Sequence, residues 1–272
     1  MIAQEVSRPV PTWAKVIAVL LALGTLGLSA PLVAAGAFWL VSVRVTRHLS
    51  LSAPLAAGQR LVVSAEQATL ELKIGPAGLV RVEITDWTRV TTHSGLEPLR
   101  HVTAAMSSMA DGQRLDVGSV QSSDANLGGE TVVTVEVPVD TPIDVTAGSV
   151  TASGLTGGFQ ISAGAGTVSL TDMVVAKSSS VHAAGSVEFS GLVTSGTLDL
   201  TSGFGGIDAR FNRLSDARIE ADTTIGDITT GPGLALAIST ASISKHASGS
   251  MGAGSGLITL RTGLGNIKIG IN

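Results

Sequence analysis

Five histidines, His48, His93, His101, His182 and His246, are the side chains of this 272-residue chain best suited to holding a metal or moving a proton near neutral pH. None stands in an H-x-H or H-x-x-x-H pair, the spacing that sets two imidazoles on one side of a strand or helix, so no local zinc motif exists. His93 and His101 are close enough to converge in one loop, where two solvated histidines are the plainer reading. Asp144, Asp208, Asp222 and Asp227 recur near the corners of a repeat and could stack as an acidic ladder. Solvated exterior carboxylates explain them as well. Serine is abundant, but no G-x-S-x-G elbow is present, and serine in β-turns needs no catalytic explanation.

Two glycine-rich segments complete the search. Gly203-Phe204-Gly205-Gly206-Ile207-Asp208 carries part of a calcium-binding nonapeptide, but such sites are built from tandem copies and this one is single, which favours a structural corner. Met251-Gly252-Ala253-Gly254-Ser255-Gly256 has no strand-then-helix context and no following lysine, so it reads as a loop, not a phosphate cradle. With no cysteine there is no disulfide, thiolate metal site or lipoprotein anchor. A net charge of −4 and 3% aromatic residues argue against nucleic acid as a partner and against an aromatic glycan platform. After the apolar N-terminal run the aromatics are Trp87, Phe159, Phe189, Phe204 and Phe211, and the phenylalanines suit core stacking. No residue is assigned as catalytic, cofactor-binding or metal-binding, no cofactor is called for, and the expectation is a non-enzyme.

The elements that would position any site are strands. Leu70-Glu71-Leu72-Lys73-Ile74 and Val80-Arg81-Val82-Glu83-Ile84 alternate at period two around Gly75-Pro76-Ala77-Gly78, which predicts a hairpin. Thr131–Val137 is the clearest single strand. From residue 143 a phrase recurs, glycine, any residue, then valine or isoleucine: Gly148-Ser149-Val150, Gly166-Thr167-Val168, Gly185-Ser186-Val187, Gly205-Gly206-Ile207, Gly226-Asp227-Ile228 and Gly265-Asn266-Ile267, with a degenerate Ala241-Ser242-Ile243. The steps are 18, 19, 20, 21, 15 and 24 residues, and the last two sum to two ordinary steps. A second apolar alternation precedes each phrase, as at Phe159/Ile161 and Leu198/Leu200. Units of that period cannot bury an apolar face alone and must stack. The predicted fold is an all-β solenoid of about seven rungs, regular from residue 143, with an antiparallel sandwich as the competing architecture.

The stretch VTVEVPVDTPIDVTAGSVTASGL (133–155), with TIGDITT (224–230) and TGLGNIKIG (262–270), resembles the bacterial putative-adhesin family of membrane-anchored β-strand-repeat proteins, also known for a Toastrack-type domain. The resemblance spans roughly residues 60–272. The family's Gly-Asp-Val/Ile corner is intact only at Gly226-Asp227-Ile228. What the resemblance implies is a stack of strands on a membrane anchor, with adhesion or an envelope role, and no catalytic residues.

At the N-terminus, 28 consecutive residues from Val16 to Val43 carry no formal charge, enough to cross a bilayer as a helix with some tilt. Pro31 predicts a kink, and Trp13 and Trp39 sit where interfacial tryptophans belong. A cleaved signal at Ala35-Gly36-Ala37 competes, but its apolar core would be half this length. The expected division is a basic tail 1–15, a transmembrane helix 16–43 in contact with the lipid bilayer, a juxtamembrane linker 44–60 and a β-repeat domain 61–272. Arg8, Lys15 and the terminal amine slightly outweigh Arg44 and Arg47, which places the β domain outside the cytoplasm. The leading function is a cell-envelope, adhesin-like binding module with an unidentified surface ligand or membrane-protein partner. The alternative is an extracytoplasmic sensor or regulator of envelope stress, with a polysaccharide-cleaving solenoid third.

Overall fold

The computed structural model describes residues 5–6, 42–91, 100–121 and 129–272, and within them the chain is all-β, with twenty strands and no helix. Among these residues no helix is long and apolar enough to cross a membrane. Of the span expected over 16–43, residues 16–41 lie outside the described residues. Its last two, Ser42 and Val43, open strand β2.

The first seven strands are β1 (Glu5–Val6), β2 (Ser42–Pro54), β3 (Arg60–Ile74), β4 (Leu79–Thr91), β5 (Arg100–Met109), β6 (Gly112–Gln121) and β7 (Gly129–Val137). The repeat supplies β8 (Ile143–Ser153), β9 (Phe159–Ala163), β10 (Val168–Val175), β11 (Ser179–Ala183), β12 (Val187–Val193), β13 (Thr197–Ser202), β14 (Ile207–Phe211), β15 (Ala217–Ile225) and β16 (Ile228–Thr230). It ends with β17 (Leu236–Ala241), β18 (Ser244–Met251), β19 (Gly256–Leu264) and β20 (Ile267–Ile271).

Alternation at period two sends every second side chain inward, and the chain coils so that inward residues of successive turns stand beside one another on two faces. On the first face Leu70, Val150, Val168, Val187, Ile207, Ile267 and Ile228 form one row across parallel strands β3, β8, β10, β12, β14, β20 and β16. On the second face Val63, Val145, Ile161, Val181, Leu200, Leu260 and Ala221 do the same across β3, β8, β9, β11, β13, β19 and β15. All of these side chains are buried, and the two rows meet as the core. Phe159, Phe189 and Phe211 fill its width, with the Phe189 and Phe211 rings 5.6 Å apart. Parallel pairing throughout this region departs from the antiparallel sandwich.

Glycine at the corners has a steric reason. Gly205, Gly265 and Gly226 stack in consecutive turns. A Cβ on Gly226 would lie 2.0 Å from the Gly265 carbonyl oxygen, and one on Gly265 would lie 2.3 Å from that of Gly205. Gly226 and Gly265 also adopt positive φ, +149° and +153°, which L side chains rarely take. Buried hydroxyls secure the same corner: Ser202 and Thr262 donate to the Gly205 carbonyl and Thr223 to that of Gly265.

Four expectations are corrected here. First, the order of turns in space is not their order in sequence, because β20 lies between β14 and β16, and β19 between β13 and β15. Second, Ala241-Ser242-Ile243 is not a rung. It is the turn of an antiparallel β17–β18 hairpin, with Ser242 at φ 59°. The 15- and 24-residue steps are therefore a hairpin excursion followed by a return into the stack. Third, Leu70–Ile84 does not form a paired hairpin. The turn is present, but β7 lies between β3 and β4, parallel to one and antiparallel to the other. Fourth, the segment expected as a 44–60 linker is largely strand, since β2 pairs with β4 along its whole length. Its outer side meets β1 at Arg47 and His48. Parallel stacking also begins before residue 143, with β3 as the strand preceding β8.

Candidate interaction surface

The residue just before each corner glycine is apolar: Ala147, Ala165, Ala184, Phe204, Ile225 and Leu264. In three turns the corner has one shape. Ser202, Thr223 and Thr262 are mutually aligned at its start, and Ile207, Ile228 and Ile267 at its end, five residues on in each case. Phe204, Leu264 and Ile225 thus occupy equivalent positions on three adjacent turns, and Leu264 pairs directly with Ile225. Backbone bonds from Phe204 N–H to the Ala184 carbonyl and from Leu264 N–H to that of Gly203 fix the alignment.

The inside of this corner is taken up by hydroxyl-to-glycine bonds, so the three large side chains project outward. Phe204 is 77% exposed, Ile225 49% and Leu264 42%. Exposed Ala165 and Ala184 continue the line toward the middle of the stack. At its other end stands the β17–β18 turn, whose Ile243 is 63% exposed. Lys245, at the base of that turn, faces Thr223 across the strand pair, and its ammonium meets the Asp227 carboxylate. The result is an apolar ridge along one corner, with three large exposed side chains on adjacent turns.

Beside the ridge lies a cavity of about 170 Å³ lined by Asp222, Ser239, Ser244, Lys245 and His246. His246 Nδ1 sits 2.7 Å from Asp222 Oδ1, and Ser239 stands opposite His246 on the next strand. Both side chains are about half exposed. A second, more open depression of about 360 Å³ flanks β20, where Arg210 pairs with Asp208 at 3.3 Å.

The sequence candidates fall apart accordingly. His48 on β2 bonds Thr85, His182 points outward from β11, and His246 pairs with Asp222. His93 lies outside the described residues. Among the described residues no three metal-ligating side chains gather. The four aspartates do not form a ladder, because each meets a separate basic side chain: Asp144 with Arg60, Asp208 with Arg210, Asp222 with His246 and Asp227 with Lys245. Gly203–Asp208 is the corner itself. Phe204 overturns the expectation that every phenylalanine stacks in the core. The loop 251–256 folds around the Asp216 carboxylate, which accepts bonds from the Ser255 hydroxyl and from the Gly254 and Ser255 N–H groups. Those bonds, the hydroxyl first, hold its pKa below the ordinary carboxylate value. The ridge was legible in the apolar residue before each glycine, but only as a list of positions until the turns were aligned.

No protein-family model matches the chain, and no curated protein matches it. Solved structures do. The chain is similar to a "putative cell adhesion protein" from Clostridium sporogenes, with TM-score 0.44 and 11% identity over 82% of this chain and 99% of that one. It is similar to a "putative adhesin" from Bacteroides fragilis, with TM-score 0.37 and 10% identity over 83% and 97% of the two chains. A "putative adhesin" from Parabacteroides distasonis gives TM-score 0.29 and 12% identity over 82% and 96%. These neighbours bear the name of the family that the repeats resemble.

Proposed function

We propose that the chain is a β-solenoid binding module of the bacterial cell envelope, adhesin-like and non-enzymatic, carried on a membrane anchor at residues 16–43 with its β domain outside the cytoplasm. The observation that carries the binding role is the ridge of Phe204, Leu264 and Ile225, three large apolar side chains held outward in register at one corner. Alanine stands exposed before the glycine in two neighbouring turns, at Ala165 and Ala184, so small residues would serve the fold equally well. Exposed phenylalanine, leucine and isoleucine there suit a contact with another surface. The pairing of Asp208 with Arg210 and of Asp227 with Lys245 supports a structural role for these two carboxylates.

The test uses the full-length chain in lipid vesicles, offered to cells and to isolated envelope fragments. Binding should fall at least tenfold, about 1.4 kcal/mol, when Phe204 and Leu264 are both changed to Ser. The same double change should leave the circular dichroism spectrum unaltered. Ser162→Lys, on the outward side of β9, serves as the control. Equal binding by the double variant would remove the ridge from the function. Retention of the chain in membranes after alkaline washing, and digestion of the β domain by external protease, test the anchor and its direction.

A further inference from the structure

We infer that β17 is a docking edge for a second copy of this chain, joined antiparallel to its own counterpart about a two-fold axis. The second face runs two strands further than the first at this end: beyond β15 come β18 and β17, whereas the first face stops at β16. β17 pairs only with β18, so one side of its backbone carries no partner strand among the described residues.

Sheet edges are ordinarily guarded by charge, proline, shortness or a bulge. The edge of the first face follows this rule, since β16 has three residues and the chain leaves it through Gly231-Pro232-Gly233. β17 does not. Leu236-Ala237-Ile238-Ser239-Thr240-Ala241 has no charged residue and no proline, and its register with β18 is continuous.

The core row of the second face also runs on into this strand. From Ala221 it passes to Ala247 on β18 and then to Ile238 on β17, where it ends 47% exposed. Leu236 takes the neighbouring row and lies over Gly249, where a Cβ would come within 2.5 Å of its Cδ2.

A second copy is the occupant these features select. An uncharged strand meeting itself places no like charges opposite one another. With Ile238 on the axis, Ile238 meets Ile238 of the other copy and Leu236 meets Thr240, so the unfinished apolar row continues from one molecule into the next. A two-fold contact of this kind closes on itself and leads to a dimer and not a filament.

The chain contains no cysteine, so single cysteines report the pairing without interference. Full-length chains carrying Leu236→Cys, Ile238→Cys, Thr240→Cys or the control Ser162→Cys are oxidised in detergent micelles and run without reductant. Directly opposed residues of an antiparallel pair lie within disulfide reach. The expected result is a disulfide-linked dimer strongest for Ile238→Cys, weaker for its neighbours and absent for Ser162→Cys. Light scattering should show the parent protein at twice its monomer mass, reduced to monomer mass by Ile238→Lys with its thermal melt retained. A monomeric parent without β17 cross-links, equal cross-linking at Ser162, a dimer linked through Leu264→Cys instead, or a β17 edge holding an extended segment of another protein would each overturn the proposal.

Discussion

The middle of the stack and its two ends are built differently. From β8 to β14, each turn lies beside the one before it in sequence, and the steps of 18 to 20 residues simply climb. At the ends a late strand slides between two earlier ones. β7 enters between β3 and β4, and β19 and β20 enter between β13/β14 and β15/β16. In the middle, neighbours in sequence hold one another. At the C-terminal end, the strands paired with β15 and β16 among the described residues are all made later, β18, β19 and β20. A repeat of uniform rungs can therefore contain a keystone.

The largest effect follows from that keystone. Deleting residues 256–272 takes away β20, the one strand paired with β16 among the described residues, and β19, the parallel partner of β15. Hydrogen exchange should then show β15 to β18 losing protection together, while β8 to β12 keep theirs. In a stack ordered as in sequence, the same deletion would remove only the last turn and leave β15 to β18 protected; that result would refute the intercalated order.

Val187→Asp probes the middle. Val187 is fully buried between Val168 and Ile207, and a carboxylate there should cost about 3 kcal/mol or more even when protonated. Glu188, one residue on, points outward and stands opposite Asp208. Glu188→Gln should shift stability by no more than ~0.5 kcal/mol, in the stabilising direction because it relieves a like-charge pair. Thermal melts followed by circular dichroism separate the two, and equal melting of Val187→Asp and the parent would reverse the inside–outside assignment.

Gly265→Ala sharpens the comparison at the inserted turn. The position combines positive φ with a Cβ clash against the Gly205 carbonyl, and the expected loss is about 1–3 kcal/mol. Gly58 has φ +80° but nothing within 4 Å of a Cβ, so Gly58→Ala should cost about 1 kcal/mol from backbone strain alone. Urea denaturation that ranks Gly58 above Gly265 would contradict the tight stacking of the corner glycines.

The smallest effect belongs to the loop that launches β19 into the stack. Asp216 is half-buried and bonded by Ser255 and Gly254, and its pKa is lowered. A carboxyl whose folded pKa lies below its unfolded value contributes stability above the unfolded value and loses it as pH falls through the folded one. Acid should therefore loosen the 251–256 loop, and Asp216→Asn should abolish the Asp216 contribution to that pH dependence. Exchange at the Gly254 and Ser255 amides, measured against pH, reads it directly; an identical profile in Asp216→Asn would exclude the carboxylate as the latch.

How much of this was visible beforehand depends on the distance over which each feature is decided. Val187 inward and Glu188 outward follow from alternation over five residues. The same holds for the corner glycines, whose phrase recurs wherever a turn must be sharp. β2 is hard to read in the sequence because Arg44, Arg47 and His48 make its alternation look like a basic linker, although Leu49 and Leu51 pack against the core. The hairpin at 241–244 is masked in the sequence because Ala-Ser-Ile fits the rung phrase, while its backbone turns back through Ser242.

Within the regular repeat, the facing of each strand and the position of the glycine corners were thus determined by sequence alone, because they depend on local alternation and local backbone freedom. The order of the turns was decided only in three dimensions. A valine or isoleucine row accepts any neighbour of the same alternation, so pairing between rungs is degenerate at the level of apolar pattern. What breaks the degeneracy is shape at the corner. Gly205, Gly265 and Gly226 nest, Thr262 and Thr223 bond the carbonyls of the adjacent turns, and the Asn266 side chain accepts the Asp227 N–H. The bond from Thr262 to Gly205 alone joins residues 57 positions apart, and the same alignment brings Phe204, Leu264 and Ile225 into one ridge.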